Sequence, residues 1–329
     1  MAEWGASALS YPNDMIMQET TSFHSRGRGL HRFAVLTACC TWCLIIAGAL
    51  VTGNEAGLAV PDWPLSYGSL TPPMVGGIFY EHGHRLIAAI VGLLTVILAI
   101  WLWTNEPRKP VRRLGWLALG TVIAQGILGG ITVLYFLPAA ISIAHGCLAQ
   151  AFFCMVVCLA WVTSSHWKGE GSLTRQFEEP DNPSLRQLGI FAFASVYIQL
   201  GFGAYLRHLK SGIILHVVGA LFVVLLIVWV FIRVIGLYAR VATLFRPAVL
   251  MVSLLVIQLF LGIGSLWMRM ITRNAVQPER LAVGITTAHV AVGALLLATV
   301  LILTLEAFRL IAVPQRISSY TRAPQKATS

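Results

Sequence analysis

Long apolar stretches separated by short polar segments run through most of the chain. Each stretch has about 20 residues, which at about 1.5 Å per residue is enough to cross the hydrocarbon core of a bilayer as an α-helix. The pattern predicts an all-α polytopic membrane protein with eight transmembrane helices. The predicted spans are Phe33–Thr52, Leu86–Trp103, Gly115–Tyr135, Ala139–Val162, Leu188–Tyr205, Ile213–Ile232, Ala248–Trp267 and Leu281–Leu305.

Composition and charge agree with a membrane protein and set its expected orientation. Hydrophobic residues make up 57% of the chain and charged residues only 11%. The net charge of +10 does not indicate a nucleic-acid partner, because most of the 23 Lys and Arg lie on the side shared by both termini. Positive residues concentrate on the cytoplasmic side of membrane proteins. We therefore expect both termini to be cytoplasmic.

The first 32 residues favour a bacterial inner membrane over a mitochondrial one. They carry Glu3, Asp14 and Glu19 and lack the cleavable apolar core of a signal peptide. They also lack the arginine-rich, acid-free character of a transit peptide. We expect a short cytoplasmic tail.

The polar segment at 164–187 divides the chain into two halves that resemble each other. Gln125-Gly-Ile-Leu-Gly in the third span matches Gln258-Leu-Phe-Leu-Gly in the seventh, and Ala144-His145 matches Ala288-His289. The repeat predicts two duplicated four-helix bundles. The expected organisation is a cytoplasmic tail at 1–32, an N-terminal bundle at 33–163, a cytoplasmic linker at 164–187, a C-terminal bundle at 188–306 and a cytoplasmic tail at 307–329.

Four histidines lie near the starts of the even-numbered spans: His84, His145, His216 and His289. An imidazole in lipid is costly unless it has a partner, and four in matching register favour a buried ligand that binds histidine pairs, such as haem. His84 is expected to pair with His145, and His216 with His289, in the outer leaflet. A hydrogen bond to a neighbouring helix would explain a single such histidine. Two histidines per half would supply too few ligands for a zinc site, which usually has three or four protein ligands.

Other polar residues surround the first pair more than the second. Glu81 lies one helical turn before His84 and is expected to relay protons or stabilise positive charge there, or else to cap the helix. Arg85 and Arg207 are expected to bind porphyrin propionates, or else to anchor helix ends in headgroups. His82 should point away from the His84 side of the helix. The histidines expected to be solvated are His24, His31 and His166.

Several motifs together resemble the haem A synthase family, over a match from about Arg32 to Leu305. They are Pro61-Asp-Trp-Pro64, Glu81-His-Gly-His-Arg85, Gln125-Gly-Ile-Leu-Gly129, Arg207-His208 and the eighth-span His289. The resemblance implies an oxidoreductase that converts the C8 methyl of haem O to the formyl group of haem A for terminal oxidases. In the family's first outer loop many members carry a cysteine pair, where this chain has Val60 and Ser66.

The resemblance also implies how the site residues divide their work. His216 and His289 would hold a permanent haem b, while His84 and His145 would bind the substrate haem, with Glu81 important for turnover. The expected partners are haem O, membrane lipid, a haem O synthase and an unidentified electron donor.

Two other functions fit part of the pattern. A di-haem b-type membrane electron-transfer protein would use the same four histidines, although it needs neither Glu81 nor the Gly- and Pro-rich loop at 54–68, which we expect to cap the first bundle. A transporter built on a repeat would need discontinuous helices with charges at mid-membrane, which the sequence lacks. With two imidazoles on the substrate iron, either one ligand moves away or electrons leave from the porphyrin edge, and both routes stay open.

Overall fold

The computed structural model describes residues 13–169, 177–179, 183–272 and 274–312, with the side chains of 13–27 and 178 excepted. Eight helices in these ranges are long and apolar enough to cross a membrane, which confirms the predicted number. The elements in chain order are α1 (Asn13–Gly53), α2 (Gly76–Asn105), α3 (Lys109–Leu134), α4 (Ala139–Thr163), the short α5 (Ser165–Lys168), β1 (Phe177–Glu178), α6 (Leu185–Leu209), α7 (Ile213–Leu237), α8 (Ala242–Ile271), α9 (Arg280–Leu310) and β2 (Ile311–Ala312).

Several helices extend further than the apolar stretches predict. The second helix begins at Gly76, ten residues before the predicted start at Leu86. Its first turns contain polar residues whose side chains bond to the preceding loop, so the helix continues where hydrophobicity alone ends it. The chain also contains one short element that an all-α description omits, because β1 and β2 pair in parallel.

The two halves pack against each other through their first and last helices. Helix α1 contacts α9, and α4 contacts both α6 and α9. Helix α9 is the most buried span, with 56% of its apolar window inside the protein. Large side chains such as Phe222, Leu225 and Phe260 lie exposed on the outside of the bundle. This distribution is expected where the surrounding solvent is lipid rather than water.

Two hydrogen bonds cross between the halves at equivalent positions. Trp42 Nε1 in α1 donates to the carbonyl oxygen of Ala291 in α9 at 3.0 Å. Tyr197 Oη in α6 donates to the carbonyl oxygen of Cys147 in α4, also at 3.0 Å. Each acceptor lies two residues after a histidine of the repeated set. The first helix of each half therefore binds the last helix of the other, as a duplicated architecture would require.

The end of the bundle remote from the four histidines contains buried carboxylates with several partners. Glu306 is fully buried and accepts a hydrogen bond from Trp161 Nε1 at 2.8 Å. His166 Nε2 lies 3.2 Å from the same carboxylate, and His31 Nδ1 lies 2.9 Å from the carbonyl oxygen of Ala160. His166 is exposed, as expected of a solvated side chain, although it also contacts Glu306. His31 is only half-buried, but its bond to α4 was not expected. Both bind residues of the neighbouring helices, while the side chain of His24 lies outside the described residues.

Glu106 joins the turn between α2 and α3 to α5. Its buried carboxylate lies 2.6 Å from Arg108 Nε and 3.2 Å from Lys168 Nζ. Burial acts to raise the pKa of Glu106, but the hydrogen bond from Arg108 and the charges of Arg108 and Lys168 together hold it below the ordinary value of 4.5. A carboxyl group whose pKa is lowered by folding stabilises the protein above its unfolded pKa, and this contribution is lost as the pH falls.

We expect Glu106→Gln to destabilise the protein by about 1–2 kcal/mol at neutral pH, because two cations lose their carboxylate. The difference from wild type should shrink as the pH falls from 4.5 towards the lowered pKa of the folded protein, because the wild-type carboxyl group then becomes protonated as well. Thermal unfolding of the detergent-solubilised protein across this pH range measures both effects. A constant difference at every pH would contradict the assignment.

Candidate functional site

The four repeated histidines lie at one end of the bundle. His84 and His289 lie eight and nine residues after the starts of α2 and α9, about 12–14 Å along each helix at the standard rise. His84 is therefore not at the surface end of its helix, where the shorter predicted span puts it. Near this end, Arg207 Nη2 donates to the carbonyl oxygen of Thr52 at 2.6 Å and joins α6 to the end of α1.

His216 and His289 face each other across a gap in the second half. Their ring centres are 6.4 Å apart and their planes are inclined at 73°. An imidazole nitrogen lies about 2 Å from a metal ion that it binds, so two rings on opposite sides of one ion have centres about 6 Å apart. The observed separation fits axial ligation of one iron by this pair. His84 and His145 are also near enough to interact electrostatically.

Each of the four imidazoles lies against a glycine of the helix that precedes its own. A Cβ atom added at these glycines would lie 3.1–3.5 Å from the imidazole Cε1 atom, at or below the usual van der Waals contact distance. The absent side chains leave room for the rings at the helix interface. The pairs are Gly48 with His84, Gly129 with His145, Gly203 with His216 and Gly262 with His289.

Three of the imidazoles have a buried nitrogen without a hydrogen-bond partner among the described residues. These are Nδ1 of His84, His145 and His289. Backbone groups of Leu44, Gln125 and Gln258 lie beside the rings of His84, His145 and His289 respectively. A histidine that binds a metal through one nitrogen commonly donates from the other to a backbone carbonyl. The residues present therefore fit a haem at each pair.

Glutamines of the preceding helices contact three of the histidines, and the sequence analysis assigned them no role. Gln125 Nε2 donates to the carbonyl oxygen of His145 at 2.9 Å, and Gln199 Nε2 donates to that of His216 at 2.7 Å. Gln258 Nε2 lies 3.5 Å from His289 Nε2. Their regular spacing could have identified them from the sequence, since each glutamine lies four residues before the glycine that contacts the same histidine.

Glu81 and Arg85 bind the loop between α1 and α2. Glu81 is 3% exposed; its Oε2 accepts from the backbone N–H of Val60 at 2.9 Å, and its Oε1 pairs with Arg85 Nη2 at 2.6 Å. Arg85 Nη1 also donates to the carbonyl oxygens of Asp62 and Leu65 at 2.7 and 2.6 Å. Glu81 therefore lies inside α2 and does not cap its start. The binding of propionates by Arg85 and Arg207 stays a prediction.

The loop folds as a cap over the first half. Trp63 lies against Gly130 of α3, where a Cβ atom would approach the indole ring to 2.8 Å. The backbone N–H groups of Gly68 and Tyr67 donate to the Asp62 carboxylate at 2.7 Å and hold the pKa of Asp62 below its ordinary value. Gly130 directly follows the glycine that contacts His145, so the cap lies close to the first histidine pair.

The two loop positions at which a cysteine pair is expected are both hydrogen-bonded to α2. Val60 donates to Glu81, and Ser66 Oγ lies 2.8 Å from His82 Nδ1. His82 is buried, and it faces the cap while His84 faces α1. In this chain, polar contacts with α2 hold the loop at these two positions.

The comparisons with known proteins each cover part of the chain. The profile of the COX15-CtaA family, described as cytochrome oxidase assembly protein, matches residues 74–217, a range that includes His84, His145 and His216 but ends before His289. Curated relatives named Heme A synthase occur in Shouchella clausii, 30% identical over 189 residues, 56% of this chain and 61% of the relative, and in Symbiobacterium thermophilum, 32% identical over 181 residues, 51% and 55%. A third, from Halalkalibacterium halodurans, is 29% identical over 196 residues, again 56% and 61%. The chain thus spans about three fifths of the length of these relatives.

We expect Gly262→Leu to disrupt the second pair, because a Cβ atom there already lies 3.1 Å from His289 Cε1 and a larger side chain must displace the ring. Haem bound per purified chain should fall by about half, as overpacking displaces a ligand from one of two sites. The matched control is Gly284→Leu in α9, where nothing lies within 4 Å of an added Cβ. Equal haem content in the two variants would contradict the assignment.

Proposed function

We propose that this chain belongs to the haem A synthase family and that it oxidises the C8 methyl group of haem O to a formyl group. The observation that carries the proposal is the presence of two histidine pairs in one membrane bundle, of which one adjoins a buried carboxylate under a loop cap. The His216–His289 separation of 6.4 Å supports haem binding directly. The protein then acts in haem A biosynthesis as a multi-pass protein of a bacterial membrane.

The surroundings of the two pairs support a division of labour between them. We assign a permanent haem b to His216 and His289, and the substrate haem O to His84 and His145. Glu81 lies one turn before His84, whereas Gly212 and Ile213 stand at the matching place before His216. At this position the first pair, where oxidation would occur, therefore has a residue that carries protons or charge, and the second pair does not.

In net balance the conversion is –CH₃ + H₂O → –CHO + 4H⁺ + 4e⁻. Two of the four protons come from the methyl group and two from water, and the four electrons pass to a separate redox partner. Two hydroxylations would give a gem-diol that loses water to leave the aldehyde. A methyl C–H bond is inert to acid–base groups alone, so a bound haem supplies the redox chemistry. The protein orients the substrate through His84 and His145, and Glu81 accepts protons or offsets positive charge.

The proposal also fixes an orientation in the membrane and a set of partners. Both termini would lie in the cytoplasm, so the histidine pairs and the cap would face the outer side of the inner membrane. Arg85 and Arg207 lie at that side, where haem propionates would emerge. Haem O would arrive from its synthase through the lipid, and a separate redox partner would exchange electrons with the haem b.

We expect His84→Ala and His145→Ala to abolish haem A formation while haem b stays bound. His216→Met and His289→Met should instead lower the haem b content itself, because each removes a ligand of the permanent haem. Pigment extraction after expression in a host that makes haem O measures both quantities. The control is His31→Gln, which lies at the opposite end of the bundle beside Ala160.

The same extraction separates the synthase from a di-haem electron carrier. Haem A that appears only with wild-type protein supports the synthase, whereas haem b in both sites with no haem A supports the carrier. Unchanged haem b and unchanged product in His216→Met or His289→Met would refute the assignment of the second half.

Glu81→Gln separates a chemical role from the role of anchoring the cap. The amide oxygen can still accept from Val60, but the group can no longer carry a proton or a negative charge. If Glu81 acts in proton transfer, haem A formation should fall by about 10²-fold or more, the usual effect of losing a general acid–base group. Haem content should not change. Wild-type turnover in this variant would restrict Glu81 to holding the loop.

A further inference from the structure

Each of the four histidines lies against a glycine of the preceding helix, and the residue four positions before that glycine differs in one of the four helices. Four residues before the contacting glycine stands a glutamine in α3, α6 and α8 but a leucine in α1. The three glutamines are Gln125, Gln199 and Gln258, and the leucine is Leu44, which precedes Gly48 and therefore corresponds to His84.

Where the glutamine is present, its amide binds the histidine or the helix turn that carries it. Gln125 holds the carbonyl oxygen of His145, and Gln199 holds that of His216 and also lies 3.0 Å from the His216 Nδ1 atom. Gln258 reaches the ring of His289. Each contact crosses between two helices at the level of the imidazole, in a low-dielectric interior where polar contacts between helices add stability.

His84 has no equivalent side-chain contact, because an isobutyl group has no hydrogen-bond donor. The Leu44 side chain packs against a cluster of apolar residues. The His84 ring rests against Gly48, and its Nδ1 atom, like that of His145, has no hydrogen-bond partner among the described residues. Of the two ligands of the first pair, His145 thus has its backbone carbonyl held by an amide on the adjacent helix, and His84 does not.

We propose that Leu44 makes His84 the exchangeable ligand of the first pair, and that Gln125 is a positioning residue that keeps His145 in place. The inference rests on the proposed function only in that a haem occupies this pair. A substrate site must admit one haem and release another, so one of its ligands must leave the iron in every cycle. The second pair, with a glutamine at both histidines, is then the one that retains its haem.

Carbon monoxide tests the proposal without reference to turnover. A reduced haem with two histidine ligands binds carbon monoxide only after one ligand leaves, so the binding rate reports how readily the iron loses a histidine. The full-length haem-loaded protein in detergent should show one reactive haem, at the first pair, and one unreactive haem. Flow mixing with optical detection measures the rate.

Leu44→Gln should slow carbon monoxide binding by about threefold to tenfold, the effect of one added interhelical hydrogen bond. The shape-matched control Leu44→Met adds no donor and should leave the rate as in wild type. Gln125→Leu should raise the rate by a similar factor, because it frees His145 as well. In a His84→Ala background, Leu44→Gln should have no effect, which would assign the change to His84.

Equal rates in wild type, Leu44→Gln and Gln125→Leu would overturn the proposal, as would a first-pair haem that does not react at all. If Leu44→Gln does not retain haem, the Gln125→Leu variant alone decides. Pigment extraction keeps the two proposals apart. Absence of haem A together with the expected carbon monoxide pattern refutes the synthase function and leaves the ligand assignment standing.

Discussion

The structure depends on the cost of burying an imidazole nitrogen in a membrane. Each repeated histidine lies between helices, and three of them have a buried nitrogen without a partner among the described residues. In hydrocarbon such a group is unfavourable unless a ligand or a neighbouring dipole satisfies it. The ring centres of His216 and His289 are 6.4 Å apart, so under the proposed function one iron would bind both rings. The glycines at the helix contacts provide the space for this arrangement.

Hydrophobicity predicted the number of helices, but it could not predict their ends. The apolar pattern ends near Leu86 because Glu81, His82 and Arg85 are polar, yet α2 continues through them to Gly76. Their side chains bond to the loop before the helix, and a pattern along one element cannot reveal contacts with another. For the same reason, the bonds from His31 to Ala160 and from His166 to Glu306 were not predictable.

The candidate site residues could be predicted from the sequence only where the two halves of the chain repeat each other. Matching the halves selected His84, His145, His216 and His289, since each has an equivalent in register. Repetition also contained the glutamine spacing, but the meaning of that spacing depends on which atoms the amides reach. The polar contacts of Val60 and Ser66 with α2 were hidden for a different reason, because a missing cysteine pair says nothing about what holds the loop in its place.

The differences between the two halves are concentrated around His84. The cap binds α2 on both sides of His84, through Glu81 one turn before it and Arg85 directly after it, and the neighbouring residue of α1 is Leu44 instead of a glutamine. An architecture built by duplication starts with equal sites, so asymmetry marks the places where the two sites serve different purposes. A site that keeps its cofactor benefits from firm ligands, whereas a site that exchanges its substrate needs one ligand able to leave. The loop cap and the histidine without a neighbouring glutamine both lie at the first pair, so under the proposed function the same end of α2 would control both access to the site and release from it.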